Sequence, residues 1–196
     1  MLSDKKPQIE KHLEPLAKLL SRVNPNILTL LGSIPPLLFF VFVLKGWHLL
    51  AVIAFLGTFF DLIDGLVARK YNKVTRFGGF FDSTLDRVSD FLLITAFSFS
   101  EIVRWEIAAP LLMFSYLTSY TRAQGELRSE NKVSFAVGLI ERPERLLLTL
   151  LALLLYIFFG NENFAGLNTP EWVFVILVLL SFYTVVQRIL HAYKKL

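Results

Sequence analysis

Residues 61–87 read DLIDGLVARKYNKVTRFGGFFDSTLDR, two pairs of aspartates set into otherwise apolar sequence. Asp61 and Asp64 are three positions apart and Asp82 and Asp86 four apart, so on a helix each pair projects from one face. The stretches that carry them, Trp47 to Ala68 and Gly79 to Phe99, have the length of about 20 residues that crosses roughly 30 Å of hydrocarbon. Carboxylates are costly in such segments and mark function. If the first of these stretches starts near Trp47, Asp61 lies about 21 Å along it, roughly 9 Å short of the inner boundary. Asp82 and Asp86 then fall about 5 to 10 Å below the same surface on the following helix. The spacing therefore predicts that all four acids meet at one depth, just under the inner face of a membrane.

The rest of the chain fits that setting. Of 196 residues, 55% are hydrophobic and 18% charged, with no Cys, and the mean hydropathy is +0.57. That balance is too apolar for an ordinary soluble domain and excludes disorder, a disulfide framework and thiolate chemistry. Four further apolar runs, Ile27 to Leu44, Ile107 to Ala123, Pro143 to Phe159 and Pro170 to Leu190, bring the expected number of transmembrane helices to six. Ahead of them Ile9, Leu13, Leu16, Leu20 and Val23 recur at helical spacing, with Lys11, Glu14, Lys18 and Arg22 on other faces. This predicts an amphipathic juxtamembrane helix within residues 1–24, lying in the membrane interface; packing on a partner helix is the alternative. The first 24 residues lack the apolar core and cleavage site of a signal peptide, so the chain is expected to be kept whole.

The expected architecture is an all-α integral membrane protein, a single domain over 1–196 with a six-helix bundle over 25–196. With both termini inside, all of the 20 Lys and Arg except Lys45 and Arg104 fall on the inner side, which places termini and carboxylates in the cytoplasm. The formal charge of +4 is explained by this asymmetry and implies no nucleic acid.

Four carboxylates gathered in low dielectric repel one another and take up protons unless a cation holds them. With no Cys in the chain and no His near the motif, Mg²⁺ suits the oxygen donors, Mn²⁺ being possible, and four acids suffice for two ions. Magnesium shares its shell readily with phosphate oxygens, so a phosphate-bearing substrate is implied. Gly65 and Ala68 lie one turn from acids, Gly78 and Gly79 open the next helix, and Arg69, Lys70, Lys73 and Arg76 supply charge for a diphosphate. The plainer readings are that a lone intramembrane Asp is a helix–helix hydrogen bonder or proton relay, a role left to Asp90, and that the loop cations set topology. Phe39, Phe40 and Phe42 read as lipid-facing bulk.

The pattern Asp61-x2-Asp64-Gly65-x2-Ala68-Arg69-x8-Gly78-x3-Asp82-x3-Asp86 resembles, at every fixed position, the signature of the CDP-alcohol phosphotransferase family. The segment with Asn24, Pro25, Asn26, Ile27 and Thr29 is similar to the family's loop before its first span. The resemblance implies a reaction in which an alcohol attacks the lipid-side phosphate of a CDP-lipid and CMP leaves. It implies that Asp61, Asp64 and Asp82 hold metal, with Asp86 near the second ion and acting as general base. Gly65, Ala68 and Gly78 would allow close approach, Arg69 and Thr75 would contact the nucleotide and diphosphate, and Asn24 to Ile27 would close over it. A homodimer is likewise implied.

The acceptor is read from the remaining inner-side groups. Ser119, Arg122, Arg142, Arg145 and Arg188 form a candidate anion pocket, with Pro143 placed to start a helix whose free N–H groups also favour anions. A phosphorylated alcohol is favoured over a neutral one; pairing of these arginines with Glu126, Glu141 and Glu144 is the plainer alternative. The stretches SYTRAQGE (119–126) and GLIERPER (138–145) resemble those of phosphatidylinositol-phosphate and archaetidylinositol-phosphate synthases. This implies inositol 1-phosphate as acceptor, with glycerol 3-phosphate as the runner-up. Gln124 departs from the pattern, standing where the bacterial members carry a basic residue. Two other classes remain: a cation transporter, whose site would lie nearer the midplane, and a catalytically silent assembly factor.

Overall fold

The computed structural model describes residues 14–129, 133–160 and 162–196, the side chain of Asp61 excepted. The chain divides into two compact units, Met1–Ala96 and Phe97–Leu196. Helices occupy all six expected apolar stretches. Three of them, Pro25–Leu44, His48–Lys70 and Thr169–Lys195, are long and apolar enough to cross a membrane by themselves. The chain is thus a mostly helical membrane protein.

In the first unit, α1 (Pro25–Gly32) is started by Asn24, whose side chain accepts from the Asn26 N–H at 3.0 Å, and by Pro25 at the first helical position. There the missing proline donor costs nothing. The expected first span is interrupted at Ser33, where Pro35 and Pro36 withdraw two backbone donors from the start of α2 (Ile34–Leu44). Against α2 lies α3 (His48–Gly57), with Phe39 and Phe55, both fully buried, meeting edge to face at 5.5 Å. Phe39 is therefore core, not the lipid-facing bulk its sequence neighbourhood suggests. A Cβ on Gly57 would stand 3.0 Å from the Pro35 ring, so glycine is what permits this approach.

The expected second span is likewise not one uniform helix. A 3₁₀ turn at Thr58–Phe60 separates α3 from α4 (Asp61–Lys70), and the acid motif begins at this change of winding. After a short loop, α5 (Arg76–Phe99) starts three residues earlier than expected, so Gly78 and Gly79 lie within its first turn. The N–H of Gly78 donates to Thr75 Oγ1 at 2.9 Å, satisfying one of the orphan donors of the helix start.

Residues 14–19 are helical. Their Leu16 and Leu20 side pack on a small core of Ala17, Ile63, Leu66 and Val67, so this part of the apolar stripe faces α4. Ile9 and Leu13 lie outside the described residues.

In the second unit, α6 (Trp105–Arg128), α7 (Arg142–Phe159) and α8 (Thr169–Lys195) surround a core that includes Leu111, Leu153 and Leu177. Phe97 and Phe174 are 5.0 Å apart within it. Asn168 and Glu171 form a reciprocal capping box at the start of α8. The Glu171 carboxylate also accepts from Arg104 Nε at 2.7 Å. A two-residue hairpin, β1 (Asn163–Phe164) with β2 (Leu167–Asn168), joins α7 to α8 and is an addition to the all-helical expectation.

Candidate active site

The first unit contains a cleft of about 280 Å³ whose walls come from four pieces of chain. The start of α1 provides Pro25, Asn26 and Thr29, and α4 provides Asp64, Gly65, Ala68 and Arg69. The loop gives Lys73, Val74 and Thr75, and the first turns of α5 give Gly78, Gly79 and Asp82. Asp64 and Asp82, 18 positions apart in the sequence, thus face one cavity from two helices. Asp64 is 5% exposed. Burial disfavours the charged form of a carboxyl group unless ligands or hydrogen bonds hold it.

The small residues of the motif have visible reasons. A Cβ on Gly65 would stand 3.1 Å from Arg69 Nη1, so the guanidinium lies over a floor only glycine leaves low. At Gly78 a Cβ would stand 3.0 Å from Thr75 Oγ1 and 3.1 Å from Asn26 Oδ1. Glycine there lets the α1 loop close against α5.

Several expected residues fall elsewhere. Asn24 lines a neighbouring cavity of about 340 Å³, with Arg22, Pro25, Asn26, Lys73 and Thr75. Ile27 is 51% exposed and lines neither cavity. Asp86 stands one turn beyond Asp82 on α5, half-buried, its Oδ2 3.6 Å from Arg87 Nη2. Asp61 opens α4, but its side chain is outside the described set. Among the described residues no three His, Asp or Glu side chains gather as a metal centre. The side-chain oxygens that line the cleft are nevertheless the carboxylates of Asp64 and Asp82, the hydroxyls of Thr29 and Thr75 and the amide of Asn26, the chemistry a hard divalent cation takes.

Two of the loop cations have a task that spacing does not reveal. Lys70 Nζ bonds Glu14 Oε1 at 2.7 Å, and Lys73 Nζ donates to the backbone carbonyls of Ser21 at 2.7 Å and Val23 at 3.3 Å. Sequence reading also passed over Val74 as a wall residue; nothing in its type or spacing distinguishes it.

The second unit holds the arginine cluster. Arg188, 4% exposed, donates from Nε to the Val137 carbonyl at 2.8 Å and from Nη1 to the Thr118 carbonyl, while Nη2 is 3.7 Å from Glu141 Oε1. Arg145, 6% exposed, donates from Nη1 to Thr118 Oγ1 at 3.2 Å. Thr118 therefore joins both buried arginines, and the spacing did not single it out. Ser119 follows it in the chain, its hydroxyl 3.4 Å from the Ser115 carbonyl. Arg122, one turn on, is exposed and pairs with Glu126 at 2.9 Å. Arg142 is the first residue of α7, whose N-cap Glu141 and third residue Glu144 form a capping box. The pairings of Arg122 with Glu126 and Arg188 with Glu141 are those of the plainer alternative. Burial of Arg145 and Arg188 around one threonine goes beyond it.

Known proteins resemble this chain over most of its length. The chain is 34% identical over its full length to the archaetidylinositol phosphate synthase of Pyrococcus horikoshii, covering 98% of that protein. It is 35% identical to the phosphatidylinositol phosphate synthase of Corynebacterium glutamicum, across 93% of this chain and 84% of that one. The crystal structure of Mycobacterium tuberculosis phosphatidylinositol phosphate synthase with CDP-DAG bound is similar with a TM-score of 0.73 at 26% identity, over 91% of this chain and 92% of that one. The same enzyme in complex with manganese and citrate gives a TM-score of 0.71 at 26% identity, over 91% and 88%. The family model described as CDP-alcohol phosphatidyltransferase matches residues 22–183, and the chain belongs to that family.

Proposed function

We propose that this protein transfers a phosphatidyl-type group from a CDP-lipid to inositol 1-phosphate, releasing CMP and forming a phosphatidylinositol-phosphate-type lipid. The observation that carries the reading is the single cleft on which Asp64 and Asp82 stand with Gly65, Ala68, Arg69, Thr75 and Gly78. These are positions of the aspartate signature, apart from Thr75, gathered by folding from two helices and a loop. The relatives named for inositol phosphate synthases support the acceptor.

In this reading Asp61, Asp64, Asp82 and Asp86 hold two Mg²⁺, with Mn²⁺ as a substitute. Bound ions neutralise the diphosphate and acidify the acceptor hydroxyl. The protein's share is positioning, which dominates phosphoryl transfer. Arg69 and Thr75 hold the nucleotide and diphosphate, Pro25 and Asn26 wall it in with Asn24 capping their helix, and Gly65 and Gly78 leave room for it. The acceptor oxygen bonds to the lipid-side phosphorus, the phosphorus–oxygen bond to CMP breaks, and Asp86 takes the hydroxyl proton. Ser119, Arg122, Arg142, Arg145 and Arg188 bind the acceptor phosphate.

The layout we propose has six spans, a juxtamembrane helix, cytoplasmic termini and active site, and a homodimer in the cell membrane. The distribution of Lys and Arg supports the orientation.

The test is CMP release by the purified full chain from CDP-diacylglycerol or CDP-archaeol, with labelled inositol 1-phosphate and Mg²⁺. Release that stops on chelation, and drops in Asp86→Asn by the 10²- to 10⁴-fold range typical of a lost general base, is expected. Silence with both lipids, or undiminished release in Asp86→Asn, overturns the proposal. Competition with glycerol 3-phosphate decides the acceptor.

A further inference from the structure

The loop between α4 and α5 turns at Asn72, which adopts a left-handed backbone (φ 54°), a conformation Asn tolerates better than most residues. Just beyond the turn the Lys73 N–H bonds back to the Ala68 carbonyl at 2.8 Å. Its ammonium reaches residues 50 and 52 positions earlier, the carbonyls of Val23 and Ser21. These carbonyls end the stretch that begins with the 14–19 helix, where a cation complements the exposed backbone oxygens. They also directly precede Asn24, the cap of α1, and Pro25 and Asn26, which wall the cleft.

We infer that Lys73 is a positioning residue for the CDP-lipid. By holding the Ser21 and Val23 carbonyls it fixes the wall of Pro25 and Asn26 against Thr75 and Gly78, so the nucleotide meets a preformed surface. The inference rests on the transferase reading above. It changes the role that charge alone assigns to Lys73, because at least two of the three ammonium donors are directed to backbone, whereas a diphosphate ligand needs them directed into the cleft. Three further contacts act in the same sense. Lys70 pairs with Glu14, the 14–20 segment packs on Ile63, Leu66 and Val67, and Asn26 Oδ1 sits over Gly78. The N-terminal segment is thereby docked to the helix that carries Asp64.

The experiment compares the full chain with Lys73→Met, which keeps the stem and loses the donors, and Lys73→Arg, which keeps two donors in reach. In the ligand-free proteins, amide hydrogen exchange over residues 20–28 is expected to quicken in Lys73→Met and to stay near the parent in Lys73→Arg. In the CMP-release assay, Lys73→Met is expected to raise KM for CDP-diacylglycerol about tenfold, the worth of one charge-assisted hydrogen bond. Its kcat stays within about twofold and KM for inositol 1-phosphate is unchanged, because the chemistry is untouched. Unchanged exchange overturns the inference, and so does a fall in kcat at constant KM. A raised KM with unchanged exchange assigns Lys73 to direct contact with the diphosphate and overturns it as well. If the parent chain releases no CMP, the transferase reading fails, while exchange in Lys73→Met still decides whether Lys73 holds the wall. Should Lys73→Met not fold, Lys73→Leu, which also carries no donor, takes its place in both measurements.

Discussion

Thr118→Val removes one hydroxyl and leaves the side chain the same size, so it asks what that oxygen does for the arginine cluster. Thr118 is 1% exposed. Its hydroxyl donates to the Ser115 carbonyl at 2.8 Å and accepts from Arg145 Nη1 at 3.2 Å. The first bond is a small loss, because a helical carbonyl keeps its own ladder partner. The second is a bond to a buried charge, worth about 1.5–3 kcal/mol. At 3.2 Å it belongs at the weak end of that range, or about tenfold in an equilibrium. Arg188 reaches the Thr118 carbonyl instead of its hydroxyl, so the substitution spares that arginine, and the effect is bounded to Arg145. KM for inositol 1-phosphate should rise about tenfold, with KM for the CDP-lipid and kcat nearly unchanged. Thr118→Ser, which restores the oxygen, should recover most of the loss. The assay is initial-rate CMP release at saturating CDP-lipid, run also on Arg145→Ala and on the double variant. If Thr118 acts through Arg145, the two losses must not add. Additive losses, or an unchanged KM in Thr118→Val, refute the assignment of Arg145 to the acceptor phosphate.

Two glycines offer further tests. Gly78→Ala gains about 0.5–1 kcal/mol of helix preference, but its Cβ at 3.0–3.1 Å from Thr75 Oγ1 and Asn26 Oδ1 pushes on the cleft wall. The expected outcome is a chain as stable as the parent by thermal unfolding, with weaker binding of CDP-lipid, and an unchanged KM would count against the wall. Gly125→Ala places a methyl 2.3–2.7 Å from three atoms of the fully buried Phe135 ring. Overpacking of this kind costs about 1–3 kcal/mol, and Tm should fall by about 2–12 °C. Adding Phe135→Leu should return part of it.

What could be read from the sequence was what a single helix or turn decides. The spacing of Asp61 with Asp64 and of Asp82 with Asp86 fixes shared faces before any tertiary contact exists, and Pro143 announces a helix start because its fixed φ is local chemistry. The 3₁₀ turn at Thr58–Phe60 escaped because those three residues, Thr58, Phe59 and Phe60, include no proline or glycine to mark a change of winding. The family resemblance places Ile27 with Asn24 to Asn26 over the nucleotide, yet one step along a helix rotates a side chain by about 100°, which is enough to turn it outward.

The cations mark the boundary most sharply. Arg69, Lys70, Lys73 and Arg76 are equivalent as charges near an acid motif, and sequence alone distributes them evenly over one diphosphate. Folding separates them by what each can reach: Arg69 lies over Gly65 on the cleft floor, while Lys70 and Lys73 are turned to Glu14 and to two backbone carbonyls. A backbone acceptor carries no residue type, so no motif can encode it. The same holds for Arg188, which the sequence offers as a phosphate ligand and which in the fold holds the carbonyls of Val137 and Thr118. A buried arginine that already satisfies backbone oxygens binds a phosphate with only part of its donor set, but it arrives at that phosphate preorganised, and preorganisation is where such a site gains its affinity. In this chain the residues that hold the walls and those proposed to grip the ligands are therefore drawn from the same set of cations, and only the partner each one reaches tells them apart.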